Sequence, residues 1–197
     1  MSAKASRVAL LFGAFLGGLA LFLGAIFLVT GLAPTPSAAV GVGGSFHLVD
    51  QNGQPFSDQD MKGKPYLVFF GYTHCPDICP TTLFEISQLY RQLGPKANEL
   101  GALFITVDPE RDTQKVLKEY LASFDPHLRG LTGDQKAVDQ AIKDYRVYAK
   151  KIPLQGGDYS MDHTAMVYLM DKDGHFVAPF NIQRTAAAEA ADLQKYL

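Results

Sequence analysis

The stretch YLVFFGYTHCPDICP, residues 66–80, decides how this chain is read. Its first five residues, Tyr66-Leu67-Val68-Phe69-Phe70, form an uninterrupted apolar run, the pattern of a strand covered on both faces. Gly71 ends the run, and Cys75 and Cys79, the only two cysteines of the sequence, follow in the turn. A helix is predicted over about 80–93, opened by Pro80, whose missing N–H is no loss in a first helical turn. The cysteines therefore lie beyond the carboxyl end of a central strand, where sites form in open α/β sheets.

Working outward, residues 46–49 read as a short strand turned by Gln51-Asn52-Gly53. Downstream come a buried strand over 102–107, a helix over 113–124 that Asp112 or Thr113 can cap, and a helix over 135–145. Strands over 164–170 and 175–180 are joined by the turn Asp171-Lys172-Asp173-Gly174, and a last helix covers 186–196. The first half demands a parallel pair with a right-handed crossover, and the second adds antiparallel strands. The expected fold is a three-layer α/β sandwich on a mixed central β-sheet.

The N-terminus is different in kind. Residues 8–32 carry no charge, long enough for one transmembrane helix at about 1.5 Å per residue. Lys4 and Arg7 precede the run, and no charge follows before Asp50. The positive-inside rule then makes 1–7 cytoplasmic and puts the rest across the membrane. A cleaved signal ending near Ser37-Ala38-Ala39 is the alternative, but its apolar core would be shorter. The expected plan is an anchor over 8–32, a flexible Pro/Ala/Ser/Gly linker over 33–44 and a folded domain over 45–197. No Arg-rich presequence is present, so the expected location is a bacterial inner membrane, single-pass, with the domain in the periplasm. With 18 Lys+Arg against 20 Asp+Glu, nothing points to nucleic acid as a partner.

Residues four apart on a helical turn share a face, so both sulfurs of Cys75-Pro76-Asp77-Ile78-Cys79 can point at one spot. The adjoining helix N-terminus is expected to lower their pKa and favour thiolate. A plain disulfide staple over so short a loop is worth only about 2 kcal/mol and ties nothing distant together. Two functions remain: a dithiol that exchanges disulfides, and a pair of soft metal ligands. Dithiol oxidoreductases typically use CxxC, one residue shorter. Zinc wants four ligands, whereas Cu(I) accepts two thiolates and one imidazole. Of the five histidines, His74 adjoins Cys75 and should point elsewhere, and His47, His127 and His175 read as surface or packing residues. His163 stands at the entry to the strand over 164–170, after a flexible loop over 155–160. Asp162 could orient its ring or simply be solvated, and Met161 adds a thioether nearby. Asp108 and Arg111 follow a strand end and read as a local ion pair, without assigned chemistry; Tyr72 and Phe84 read as walls or core.

Three segments in order, GYTHCPDICP (71–80), DPERDT (108–113) and DYSMDHT (158–164), closely resemble the Sco/SenC family of copper-binding cytochrome c oxidase assembly proteins. The resemblance spans the whole domain. It implies a thioredoxin-like fold and copper held at Cys75, Cys79 and His163, as Cu(I), with Cu(II) in a modified geometry. It further implies a role in delivering copper to, or preparing the thiols of, the CuA centre on the copper-bearing subunit of cytochrome c oxidase. The expected function is a metallochaperone, not an enzyme, with other copper carriers or thiol reductants as further partners. Oxidation to a Cys75–Cys79 disulfide would abolish binding. The alternative is a membrane-anchored thiol-disulfide reductase with Cys75 and Cys79 as its redox pair. A thioredoxin oxidoreductase would carry a cis-proline where this chain has Asp162-His163-Thr164, which favours the metal carrier.

Overall fold

The computed structural model describes residues 13–25 and 41–197. The chain divides into two compact units, Met1–Val40 and Gly41–Leu197. In the first, residues 13–25 are helical and exposed. That segment extends roughly 20 Å, and no helix among the described residues is long and apolar enough to cross a membrane. The remainder of the expected anchor lies outside the described residues, as do 1–7 and most of the linker.

The end of that linker is corrected by the second unit, which begins at 41. Val42 packs against the core, and Gly43 N donates to Asp144 O at 2.9 Å. Gly43 sits at φ 99°, and a Cβ there would come within 2.8 Å of Met170 Cε. Glycine thus lets this segment lie flat on the domain, where a flexible tether was expected.

The main sheet contains β1 (His47–Asp50), β2 (Pro55–Ser57), β3 (Tyr66–Gly71), β4 (Gly101–Thr106), β5 (Leu128–Thr132), β8 (Val167–Met170) and β9 (Phe176–Phe180). A separate two-stranded hairpin contains β6 (Ala149–Pro153) and β7 (Tyr159–His163). The main sheet runs β2-β1-β5-β4-β3-β8-β9. β3, β4 and β5 are parallel, and β8 runs antiparallel to β3. The mixed sheet is as expected, with β3 central and buried at every position.

Four helices cover it: α1 (Ile78–Leu93), α2 (Gln114–Leu121), α3 (Gln135–Asp144) and α4 (Ala186–Leu193). Alternate residues of β3 address the two faces. Phe69 meets Phe104 at 6.0 Å, and Phe104 meets Tyr120 of α2 at the same separation. On the other face Phe70 meets Tyr145, just past α3, at 5.3 Å. α4 packs on α1. Fully enclosed side chains such as Phe104, Leu83 and Leu131 each contribute about 1.5–3 kcal/mol. Thr113, not Asp112, caps α2, its side chain accepting from Val116 N.

Two expectations fail around His163. The strand predicted over 164–170 begins only at Val167, and the loop predicted over 155–160 mostly becomes hairpin. A 3-10 turn, Gln155–Gly157, closes β6 onto β7, with Gly156 and Gly157 at φ 84° and 87°. The five pairs from Ala149↔His163 to Pro153↔Tyr159 make His163 the last residue of a strand.

Candidate metal centre

The centre is assembled from two segments 84 residues apart: Cys79 Sγ lies 3.5 Å from His163 Nε2. α1 begins two residues earlier than predicted, so Cys79 occupies its first turn and Cys75 the loop just before it. Cys79 N approaches Cys75 Sγ at 3.4 Å, and both cysteines are free thiols. Cys75 is 8% exposed and Cys79 is fully buried. The centre therefore has one thiol at its rim and one on its floor.

A metal with nitrogen and sulfur bonds of about 2.0–2.3 Å fits between groups 3.5 Å apart. Among the described residues, the only trio of His, Cys, Asp or Glu donor atoms all within 4.8 Å of one another is Asp171, Asp173 and His175 in the β8–β9 turn. The cysteine–histidine set is thus more open than that trio.

Burial sets the electrostatics. It pushes the Cys79 thiol well above the ordinary range, despite backbone donation from Tyr72, and the neighbouring Cys75 pushes it further up. The expected lowering is not found for Cys79, whose enclosure by the core disfavours the thiolate. Burial likewise lowers the His163 pKa, keeping the imidazole neutral and able to coordinate. Its Nδ1 lies 3.3 Å from Met161 O, which leaves Nε2 turned toward Cys79. Asp162 is exposed and makes no hydrogen bond to the ring, so the solvated reading holds.

Tyr72 stands edge-on to His163, ring centres 5.5 Å apart, and is the expected wall. Phe84 is not core: it is 52% exposed. His74 is exposed and reaches only Thr73 Oγ1. His127 lies between Asp125 and Asn98, and His175 beside Asp171, all away from the cysteines.

Sequence reasoning missed the support beneath Cys75. Asp112, fully buried, accepts from Thr73 N (3.0 Å), Thr73 Oγ1 (2.6 Å) and Thr106 Oγ1 (2.6 Å). It pins the cysteine loop to the end of β4. An Asp beside a helix start reads as a cap, and nothing local signals that it faces inward instead.

A thioredoxin-like α/β domain with a mixed sheet, two free thiols at a helix start and a histidine brought against one of them is the class this geometry defines. Comparison with known proteins narrows it. Residues 34–197 match the SCO1/SenC family model, and the chain belongs to that family. The structure of Bradyrhizobium japonicum ScoI with copper bound is 60% identical, with a TM-score of 0.78, covering 79% of this chain and 99% of that one. The structure in which a disulfide switch was identified in BsSco, a member of the Sco family of cytochrome c oxidase assembly proteins, is 26% identical with a TM-score of 0.63, covering 79% and 92%. The zebrafish (Danio rerio) mitochondrial SCO2 homolog is 40% identical over 157 residues, 78% of this chain; the chain spans 56% of that relative's length.

Proposed function

We propose that this protein is a copper carrier that holds Cu(I) on Cys75, Cys79 and His163 and supports assembly of the CuA centre of cytochrome c oxidase. The observation that carries this is the approach of Cys79 Sγ to His163 Nε2, with Cys75 Sγ one turn away. Copper-bound and oxidase-assembly relatives support the choice of metal and client. Copper is cargo here. Binding replaces the thiol protons, so two thiolates and a neutral imidazole share one Cu(I). An incoming thiolate of the client displaces the imidazole first, because the neutral ligand is the weaker donor, and then the cysteines. The partly exposed His163 and the slightly exposed Cys75 give that thiolate its access. The apolar run over 8–32 would tether the domain to a bacterial inner membrane, facing a periplasmic client.

The test is titration of the reduced protein with Cu(I) against a competing chelator. His163→Ala is expected to weaken binding about tenfold or more; unchanged affinity together with an unchanged spectrum would sink the ligand assignment. A second reading, a thiol-disulfide reductase acting on the client's cysteines, is favoured by two free thiols four residues apart, with Cys75 Sγ 3.4 Å from Cys79 N, and by the disulfide switch of BsSco. It requires both cysteines but leaves His163→Ala fully competent to reduce a client disulfide.

A further inference from the structure

The histidine of the centre rides on an arm. β6 and β7 pair with each other and not with the main sheet. The base of the arm is closed on itself, Thr164 N donating to Tyr148 O and Tyr148 N to Thr164 Oγ1, both at 3.0 Å. Ala149 and Met161 pack against the core, and Tyr72 hydrogen-bonds the Met161 backbone. The polar contacts that fasten the arm's outer part come from the loop between β4 and α2, residues 107–113, and converge on Arg111.

Arg111 is held by Asp108 through Nε. From there Nη1 reaches across to Tyr159 O at 2.9 Å, at the start of the arm's returning strand, and to Asp158 Oδ1 at 3.2 Å, just before it. The guanidinium lies over the Tyr159 ring at 3.6 Å, and the Tyr159 hydroxyl donates to Asp108 Oδ1 at 2.8 Å, closing a ring of contacts. The same guanidinium is 5.8 Å from the Tyr72 ring, against which His163 stands edge-on. Lys151 also bridges to Glu110, but both partners are exposed and such pairs contribute little. Arg111, by contrast, is only 17% exposed.

We propose that Arg111 is a positioning residue: it locks the β6–β7 arm to the β4–α2 loop and thereby holds His163, at the far end of β7, in line with Cys79. The proposal rests on His163 being a copper ligand, and it concerns a residue that does not itself touch the metal. A lysine cannot replace it, because the lock needs a planar fork that donates in two directions while stacking on Tyr159.

The test has two arms, each on the full chain. In the metal-free protein, the nuclear Overhauser contact between the Tyr72 and His163 rings is expected in wild type and lost in Arg111→Gln and in Arg111→Lys, the latter keeping the charge in case the former fails to fold. With copper, both variants are expected to bind about 10–100-fold more weakly, and to cause no further loss when combined with His163→Ala. Retention of the ring contact, wild-type affinity, or an equal loss in the His163→Ala background overturns the lock. If wild-type protein binds no copper, the ligand reading fails, and the ring contact alone decides whether Arg111 positions the arm.

Discussion

Gly71 shows how little room surrounds the centre. A Cβ there would lie 2.7 Å from both Cys79 Sγ and Phe104 Cε2, neither of which can move without disturbing the core. Gly71→Ala is therefore expected to push the thiol off line with His163. Stability should drop by about 1–3 kcal/mol from overpacking, and copper affinity by about tenfold, equal to roughly 1.4 kcal/mol. Denaturant unfolding and the chelator competition read the two separately; a variant unchanged in both would show that the thiol has space to relocate. At this scale Cys75, Cys79 and His163 stood out in the sequence because their chemistry is rare, and Cys79 and His163 do meet. The constraint on Gly71, the inward turn of Asp112 and the reach of Arg111 were not legible. Each depends on which atoms arrive from segments distant in the chain.

Elements with long apolar runs were read nearly to the residue. β3 and β4 are continuous buried strands, so composition alone reports them. β5 was missed because Arg129 and Gly130 interrupt it; Gly130 lets Leu121 of α2 approach, a Cβ there meeting Leu121 Cδ1 at 2.5 Å. β6 and β7 lack any fully buried position and exist because each supplies the other's hydrogen bonds. α3 ends in a way its sequence does not advertise. Arg146 adopts φ 56°, with Val147 N donating to Ile142 O at 2.9 Å and Arg146 N to Lys143 O at 3.1 Å. Glycine is the usual residue in this left-handed cap. Arg146→Gly is expected to stabilise the protein by about 0.5–1 kcal/mol, the relief of Cβ strain exceeding the extra freedom of the unfolded chain. The check is a raised denaturant midpoint at constant slope.

For the whole molecule, the seam between α1 and α4 carries a pH term. Glu189 is almost fully enclosed there, its Oε1 accepting from Arg184 N at 3.1 Å. Burial, reinforced by the like charge of Glu85 and opposed by the Arg184 backbone and guanidinium, pushes its carboxyl up to about 7 from 4.5. The folded state therefore binds this proton more tightly than the unfolded one. Its stabilisation is complete below about 4.5 and is lost as pH rises toward about 7. Glu189→Gln keeps the acceptor and removes the charge, so it should melt at a higher temperature than wild type at pH 8, with the gap closing toward pH 4.5. Equal melting at both values would contradict the assignment. The sequence by itself determined the α/β class and the cysteine pair after the central strand, because apolar runs and rare donor chemistry are local signals, and its three motifs set the expectation of His163 beside them. Only the tertiary structure decided that His163 sits on a hairpin arm, that burial raises the Cys79 thiol, and that Arg111 joins the arm to the β4–α2 loop. Those outcomes come from packing between segments far apart in the chain, which no local pattern encodes.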